Sequence, residues 1–168
     1  MKYKILKKQK IGKMCAVCGS ENEFGLKSTF YELDDGQVLA LCVPRQEHQS
    51  YPGRMHGGIA GALLDETIGR AIYIKDKNAW GVTIELKLRF HKPIPLDEEL
   101  RAMGRITRDT RRIYEGEGEI FLKSGELAVS ATAKYFKVPL EANDHIEEQR
   151  NEIWETSTFV KESVEIEI

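Results

Sequence analysis

The sequence predicts an α+β domain, a curved antiparallel β-sheet wrapped around one long central helix. Three observations predict it. Residues 82–90 alternate apolar and polar side chains without interruption, the period of a strand with one buried face. Residues 57–75 lose that alternation and carry helix formers and small residues, with apolar groups almost all the way round, as in a helix buried on most sides. Further strand-like runs stand before and after this segment, and a sheet curling round the helix is the natural way to cover it.

The elements follow in order. Gly25 to Glu32 and Val38 to Val43 read as a strand pair joined across Leu33-Asp34-Asp35-Gly36-Gln37. The helix Gly57 to Lys75 comes next, with Gly61, Ala62 and Gly69 small enough for another element to approach closely. In the long strand that follows, Val82, Ile84, Leu86, Leu88 and Phe90 form the expected buried face, and Pro93 and Pro95 end it by removing backbone donors. Three more strands are expected at about Glu99–Thr107, Arg112–Lys123 and Glu126–Val138, the last two joined by a Ser124-Gly125 hairpin turn.

Composition narrows the functional classes. The 168 residues are 41% hydrophobic and 31% charged, which suits one soluble folded domain. Twenty-five basic residues against 27 acidic ones give a formal charge of −2, so neither nucleic acid nor an anionic membrane is the expected partner. Three cysteines cannot build a disulfide framework, and the odd count points to a reducing compartment. The lysine-rich start lacks the apolar stretch of a signal peptide, and nothing approaches a membrane span of about 20 apolar residues. A cytoplasmic protein is expected.

Charge divides the chain into residues 1–14, basic and free of acids to Lys13, a central domain over 15–139, and an acidic stretch over 140–168. That stretch is either a solvated tail or peripheral helix, or a segment that docks on the basic start.

Two acids stand where an apolar helix should not have them. Asp65 and Glu66 lie mid-helix, where aspartate is a poor helix former and a buried carboxylate is costly unless paired. Glu66 has a candidate structural partner in Arg70, four residues on. Asp65 could equally point to solvent or to a structural partner, but the start of the same helix gives it a possible role. That start reads Arg54-Met55-His56-Gly57-Gly58; the first N–H groups of a helix lack internal partners, and glycines let a ligand approach the backbone. With the helix dipole behind them they suit an oxyanion or a polarised carbonyl, although a plain tight turn would use the same residues. Asp65 lies eight residues beyond Gly57, about 12 Å along the axis. One helix cannot bring its own Asp to a carbonyl held at its own start; an antiparallel helix from a second copy could do so twice, by two-fold symmetry.

The run HGGIAGALLDETIG followed by TIELKLRFHKPIP resembles the hotdog-fold acyl-CoA thioesterases of the phenylacetate-degradation type, within the 4-hydroxybenzoyl-CoA thioesterase superfamily. The resemblance extends from about Cys15 to Pro139 and includes Cys15-Ala16-Val17-Cys18-Gly19, Asn22 and Gly25-Leu26. It implies a hotdog fold and hydrolysis of an acyl-CoA thioester, with coenzyme A present only as part of the substrate and no separate cofactor. It further implies that Asp65 is the general base or nucleophile and that Gly57 supplies the carbonyl-polarising N–H, with Gly58 beside it. His56 would shape the turn, and Thr83 would orient the attacking water. Ser50 stands where several relatives carry an asparagine, flanked here by His48 and Gln49. A homodimer with shared sites is implied, as the geometry above also suggests, with tetramers or hexamers built from it.

Other residues carry weaker signals. Cys15-x-x-Cys18 invites a zinc reading, but about two more ligands would be needed and no second paired motif exists; a pair of half-buried structural thiols is expected, and no metal. Arg108, Arg111 and Arg112 gather at a strand turn, either as a solvated corner or as contacts for coenzyme A phosphates. Two competing functions remain, a non-catalytic acyl-thioester binding module and a hydratase or dehydratase acting on an acyl thioester. The first lacks a basic helix-turn-helix segment, and the second lacks a histidine near Asp65 in sequence.

Overall fold

Helix α1 (Gly57–Arg70) is laid across a mostly antiparallel sheet, and the two are packed so closely that several positions admit only glycine. The computed structural model describes residues 2–77, 79–138, 154–155 and 165–167. Its strands are β1 (Lys2–Lys8), β2 (Ile11–Gly12), β3 (Thr29–Leu33), β4 (Val38–Cys42), β5 (Trp80–Phe90), β6 (Leu100–Asp109), β7 (Ile113–Phe121), β8 (Leu127–Val138), β9 (Trp154–Glu155) and β10 (Glu165–Glu167). The main sheet runs β10-β1-β3-β4-β6-β7-β8-β5, with β5 at one edge, and β2 pairs separately with β9.

The buried face of α1 presents Leu63, Leu64 and Ile68 to Phe30, Val38, Leu100, Ile120 and Val129. The sheet yields to it. A Cβ on Gly104 would lie 2.7 Å from the Thr67 carbonyl oxygen, and one on Gly118 would lie 2.8 Å from Ile68 Cγ1. These strand glycines mark where helix backbone meets sheet backbone. On the helix, Gly61 is held against Leu88 and Gly69 against Tyr135, as the small residues there suggest.

Four expectations shift. The helix stops at Arg70, five residues before Lys75, because Ala71–Ile74 tightens into a 3-10 turn. Residues 25–28 are not strand: the N–H groups of Gly25, Leu26 and Ser28 donate to Asn22, Ala16 and Val17, so β3 begins at Thr29. Third, the expected buried face of β5 is split by a bulge. Thr83 pairs with Tyr135 and Glu85 with Lys134, leaving Ile84 as an extra residue. The bulge reverses the alternation, so Gly81, Thr83, Leu86, Leu88 and Phe90 turn toward α1, while Val82 and Ile84 lie outside, 49% and 55% exposed.

The fourth concerns the ends. The basic start is strand β1, paired with β3, with Ile5 buried. Glu165–Glu167 in turn pairs with Lys2–Lys4 of that strand, so part of the acidic stretch docks on the basic start through its backbone. The remainder of the expected acidic tail, residues 140–153, 156–164 and 168, lies outside the described residues. Among the described residues, no helix is long and apolar enough to cross a membrane.

Candidate active site

The chain enters α1 through a cap that determines which backbone donors stay available. His56 is the N-cap, in extended conformation (φ −67°, ψ 134°), and its Nδ1 accepts the Gly58 N–H at 2.9 Å. The His56 carbonyl accepts from Ile59 and Ala60. Gly58 is therefore spent on the turn, whereas the N–H of Gly57 has no hydrogen-bond partner among the described residues. Gly57 is half-buried beneath the Phe90 ring, so this donor sits in a partly desolvated notch at the positive end of the helix.

Two turns further on, Asp65 points toward β5. The Thr83 hydroxyl reaches its carboxylate at 2.9 Å to Oδ1 and 3.2 Å to Oδ2. The bulge at Ile84 makes this contact possible, since it turns Thr83 inward. Below, Tyr135 Oη donates to the Asp65 carbonyl at 2.8 Å and Tyr114 Oη to the Gly69 carbonyl at 3.3 Å. The two rings stack with centroids 4.7 Å apart, and burial pushes both phenols above the usual tyrosine range. They are fixed, neutral donors that pin the helix around Asp65. Sequence reasoning missed both; alternating tyrosines on neighbouring strands look like ordinary core residues.

Glu66 points the other way. Its Oε1 accepts from Arg70 Nε at 2.9 Å and Nη2 at 2.7 Å, and Arg70 also stacks over Phe30. The i+4 partner anticipated for Glu66 is thus in place. Arg70 Nη2 further contacts Cys18 Sγ at 3.2 Å, and Cys15 Sγ lies 3.1 Å from Glu66 Oε2.

The structure brings Thr83 to Asp65 and sets His56, Gly57 and Gly58 together, but within one chain it leaves Asp65 and Gly57 two helical turns apart. Ser50 is exposed in a loop where its N–H donates to the Arg54 carbonyl. His48 is buried and structural: Nδ1 accepts from the Arg45 N–H, and Nε2 meets the Phe24 carbonyl. Arg111 and Arg112 are exposed at the β6–β7 corner. That corner is near the start of β5, because Ile113 pairs with Phe136 and Phe136 with Val82. A groove of about 310 Å³ opens between Lys87, Arg89, Arg105, Glu117 and Thr132 on the outer face of the sheet, away from Asp65.

Comparison with known proteins agrees with the resemblance in the motifs. Residues 52–129 match the family described as the Thioesterase superfamily. The human protein acyl-coenzyme A thioesterase 13 is 26% identical over 74 residues, 44% of this chain and 53% of that protein. A solved thioesterase superfamily protein is 30% identical with a TM-score of 0.68, covering 74% of this chain and 60% of its own. A hypothetical thioesterase from Streptococcus pneumoniae TIGR4, solved with coenzyme A, is 25% identical with a TM-score of 0.56, covering 62% of this chain and 80% of its own. The chain thus spans about half the length of the curated relative. The fold is a hotdog, an antiparallel curved sheet holding one long helix.

Proposed function

We propose that this chain, whose residues 52–129 match the thioesterase superfamily, hydrolyses an acyl-CoA thioester to a free acid and coenzyme A at a site shared by two copies. One observation carries the reading: among the described residues, α1 holds a carboxylate backed only by a neutral hydroxyl and, about 12 Å away, an unspent N–H at its start.

Strand β5 supplies the way to join them. It is the sheet edge, and Val82, Ile84 and Phe136 form an exposed apolar patch on its outer side. A second copy pairing β5 with β5 antiparallel, about a two-fold axis midway between Thr83 and Phe90, sets Thr83 of one chain opposite Phe90 of the other. Asp65 lies against Thr83 and Gly57 against Phe90, so each Asp65 then faces the other copy's Gly57. The active unit is a homodimer, and tetramers or hexamers can be built from it.

The chemistry uses what each residue already holds. The substrate carbonyl oxygen accepts the Gly57 N–H, which stabilises the charge developing there by a few kcal/mol, of order 3. Thr83 donates its proton to Asp65 and keeps lone pairs to receive a water beside it. Asp65 takes a proton from that water as its oxygen bonds to the carbonyl carbon; collapse breaks the C–S bond, and coenzyme A leaves as the thiol after receiving the proton. Direct attack by Asp65 would instead give a mixed anhydride that water then opens. Arg111 and Arg112, on the corner beside the start of β5, receive coenzyme A phosphates. Hydrolysis of this kind consumes water and needs no cofactor beyond the coenzyme A of the substrate. The near-neutral charge suits a cytoplasmic protein acting on a small molecule, not on nucleic acid or membrane.

Release of free thiol from a panel of acyl-CoAs tests the proposal. Turnover of at least one, abolished in Asp65→Asn, is the expected result. Saturable acyl-CoA binding with no thiol release above the uncatalysed rate would make the chain a binding module and overturn it.

A further inference from the structure

The side of α1 opposite Asp65 carries a second cluster that the hydrolytic scheme does not use. Cys15 Sγ, Cys18 Sγ and a carboxylate oxygen of Glu66 all lie within 4.8 Å of one another. The cysteine spacing alone gave only two ligands; the third comes from a helix 48 residues further along, which sequence spacing could not reveal.

Without a metal, Cys15 donates its thiol proton to Glu66 Oε2 at 3.1 Å, and both sulfurs already receive the N–H donors that a metal-bound thiolate would keep. Cys15 Sγ receives the Val17 N–H at 3.3 Å and the Cys18 N–H at 3.4 Å. Cys18 Sγ receives the Gly12 N–H and Arg70 Nη2, each at 3.2 Å. A neutral thiol is a weak acceptor, and four donors converging on two sulfurs suit anionic sulfur far better. Glu66 is divided in the same sense. Arg70 takes both of its bonds at Oε1, leaving Oε2 turned to Cys15. A metal would displace both thiol protons; two thiolates and a carboxylate then carry three negative charges and Arg70 one positive charge, which a dication brings to neutrality.

We propose that Cys15, Cys18 and Glu66 form a binding site for a single zinc ion, which ties the N-terminal loop to α1. Two sulfurs and one oxygen are a donor set for a borderline-soft metal, with water completing a tetrahedron. Zinc–ligand lengths near 2.3 Å to sulfur and 2.1 Å to oxygen require sulfur–oxygen separations of about 3.6 Å. Glu66 Oε2 and Cys15 Sγ, now 3.1 Å apart, need part by only a few tenths of an ångström. Cys15 is half-buried, which leaves the ion a way in, while Cys18 is only 1% exposed. Arg70 stays as the donor that orients Glu66 and Cys18 from outside the coordination sphere.

The test uses the full chain, stripped with a chelator under reducing conditions and titrated with Zn²⁺ or Co²⁺. One equivalent per chain should bind, and the Co²⁺ form should show a thiolate-to-cobalt charge-transfer band. Cys15→Ser should lose that band and bind less than a tenth of an equivalent. Glu66→Gln, which keeps both thiolates, should retain the band and weaken binding at least tenfold. Thiol release from acyl-CoA is measured separately, so failure here leaves the hydrolytic reading untouched. No stoichiometric binding by the reduced chain, or equal binding by Cys15→Ser, would each overturn the site.

Discussion

Asp65 and Glu66 are neighbours on one helix, yet their settings have little in common. About 100° of helical rotation separates them, and that turn decides what each can do. Glu66 faces the N-terminal loop and a guanidinium whose side chain is 4% exposed, so its charge is neutralised at two short contacts. Asp65 faces the edge strand and meets a hydroxyl, which orients it without cancelling its charge. A carboxylate held by a buried cation is committed to structure; one held by a neutral donor keeps its lone pairs for a proton.

Substitutions should separate the two carboxylates by their effects. The largest effect belongs to the structural side: Arg70→Met takes the neutralising cation from Glu66, and denaturant unfolding should show a loss of about 3 kcal/mol. Arg70→Met combined with Glu66→Gln should recover part of it, since the stranded charge is then gone. On the catalytic side, Asp65→Ala should lower kcat by about 100-fold or more with an unchanged unfolding midpoint. Steady-state kinetics on Thr83→Val should show kcat down by about tenfold with KM nearly constant, the worth of one hydrogen bond from a hydroxyl to a charged carboxylate. Glu66→Gln should be the mildest of these for turnover, within about threefold of the parent. A Glu66→Gln enzyme as impaired as Asp65→Ala would erase the distinction between the two faces.

The Asp65 face, the proposed catalytic one, is legible in the sequence because it breaks a pattern. An aspartate inside an apolar helix that opens with His-Gly-Gly stands out against its surroundings, and the i+4 spacing of Glu66 and Arg70 exposes their pairing. What stayed hidden depends on register or on distance along the chain. One extra residue at Ile84 leaves no mark on composition, yet it moves Val82 and Ile84 to the outside and brings Thr83 to Asp65. The start of the chain looks like a basic tail because a strand at the margin of the sheet with one buried side chain, Ile5, can carry lysines along the rest of its length. The strand glycines 104, 116 and 118 gave no signal of their own, since their purpose shows only when α1 lies against them.

In the proposed dimer Asp65 and Gly57 from different copies make one site, and complementation decides whether they do. Asp65→Ala would be unfolded and refolded together with Gly57→Pro, which lacks the polarising N–H. Proline is well suited to the first helical position, His56 before it is already extended, and the ring it would meet belongs to Phe90, which is 53% exposed. Circular dichroism would establish that the proline variant folds. Each parent alone should be inactive. Random pairing puts half of the dimers in mixed form with one intact site of two, so about a quarter of wild-type activity should return. No recovery despite demonstrated subunit exchange, or full activity in a sedimenting monomer, would contradict the shared site.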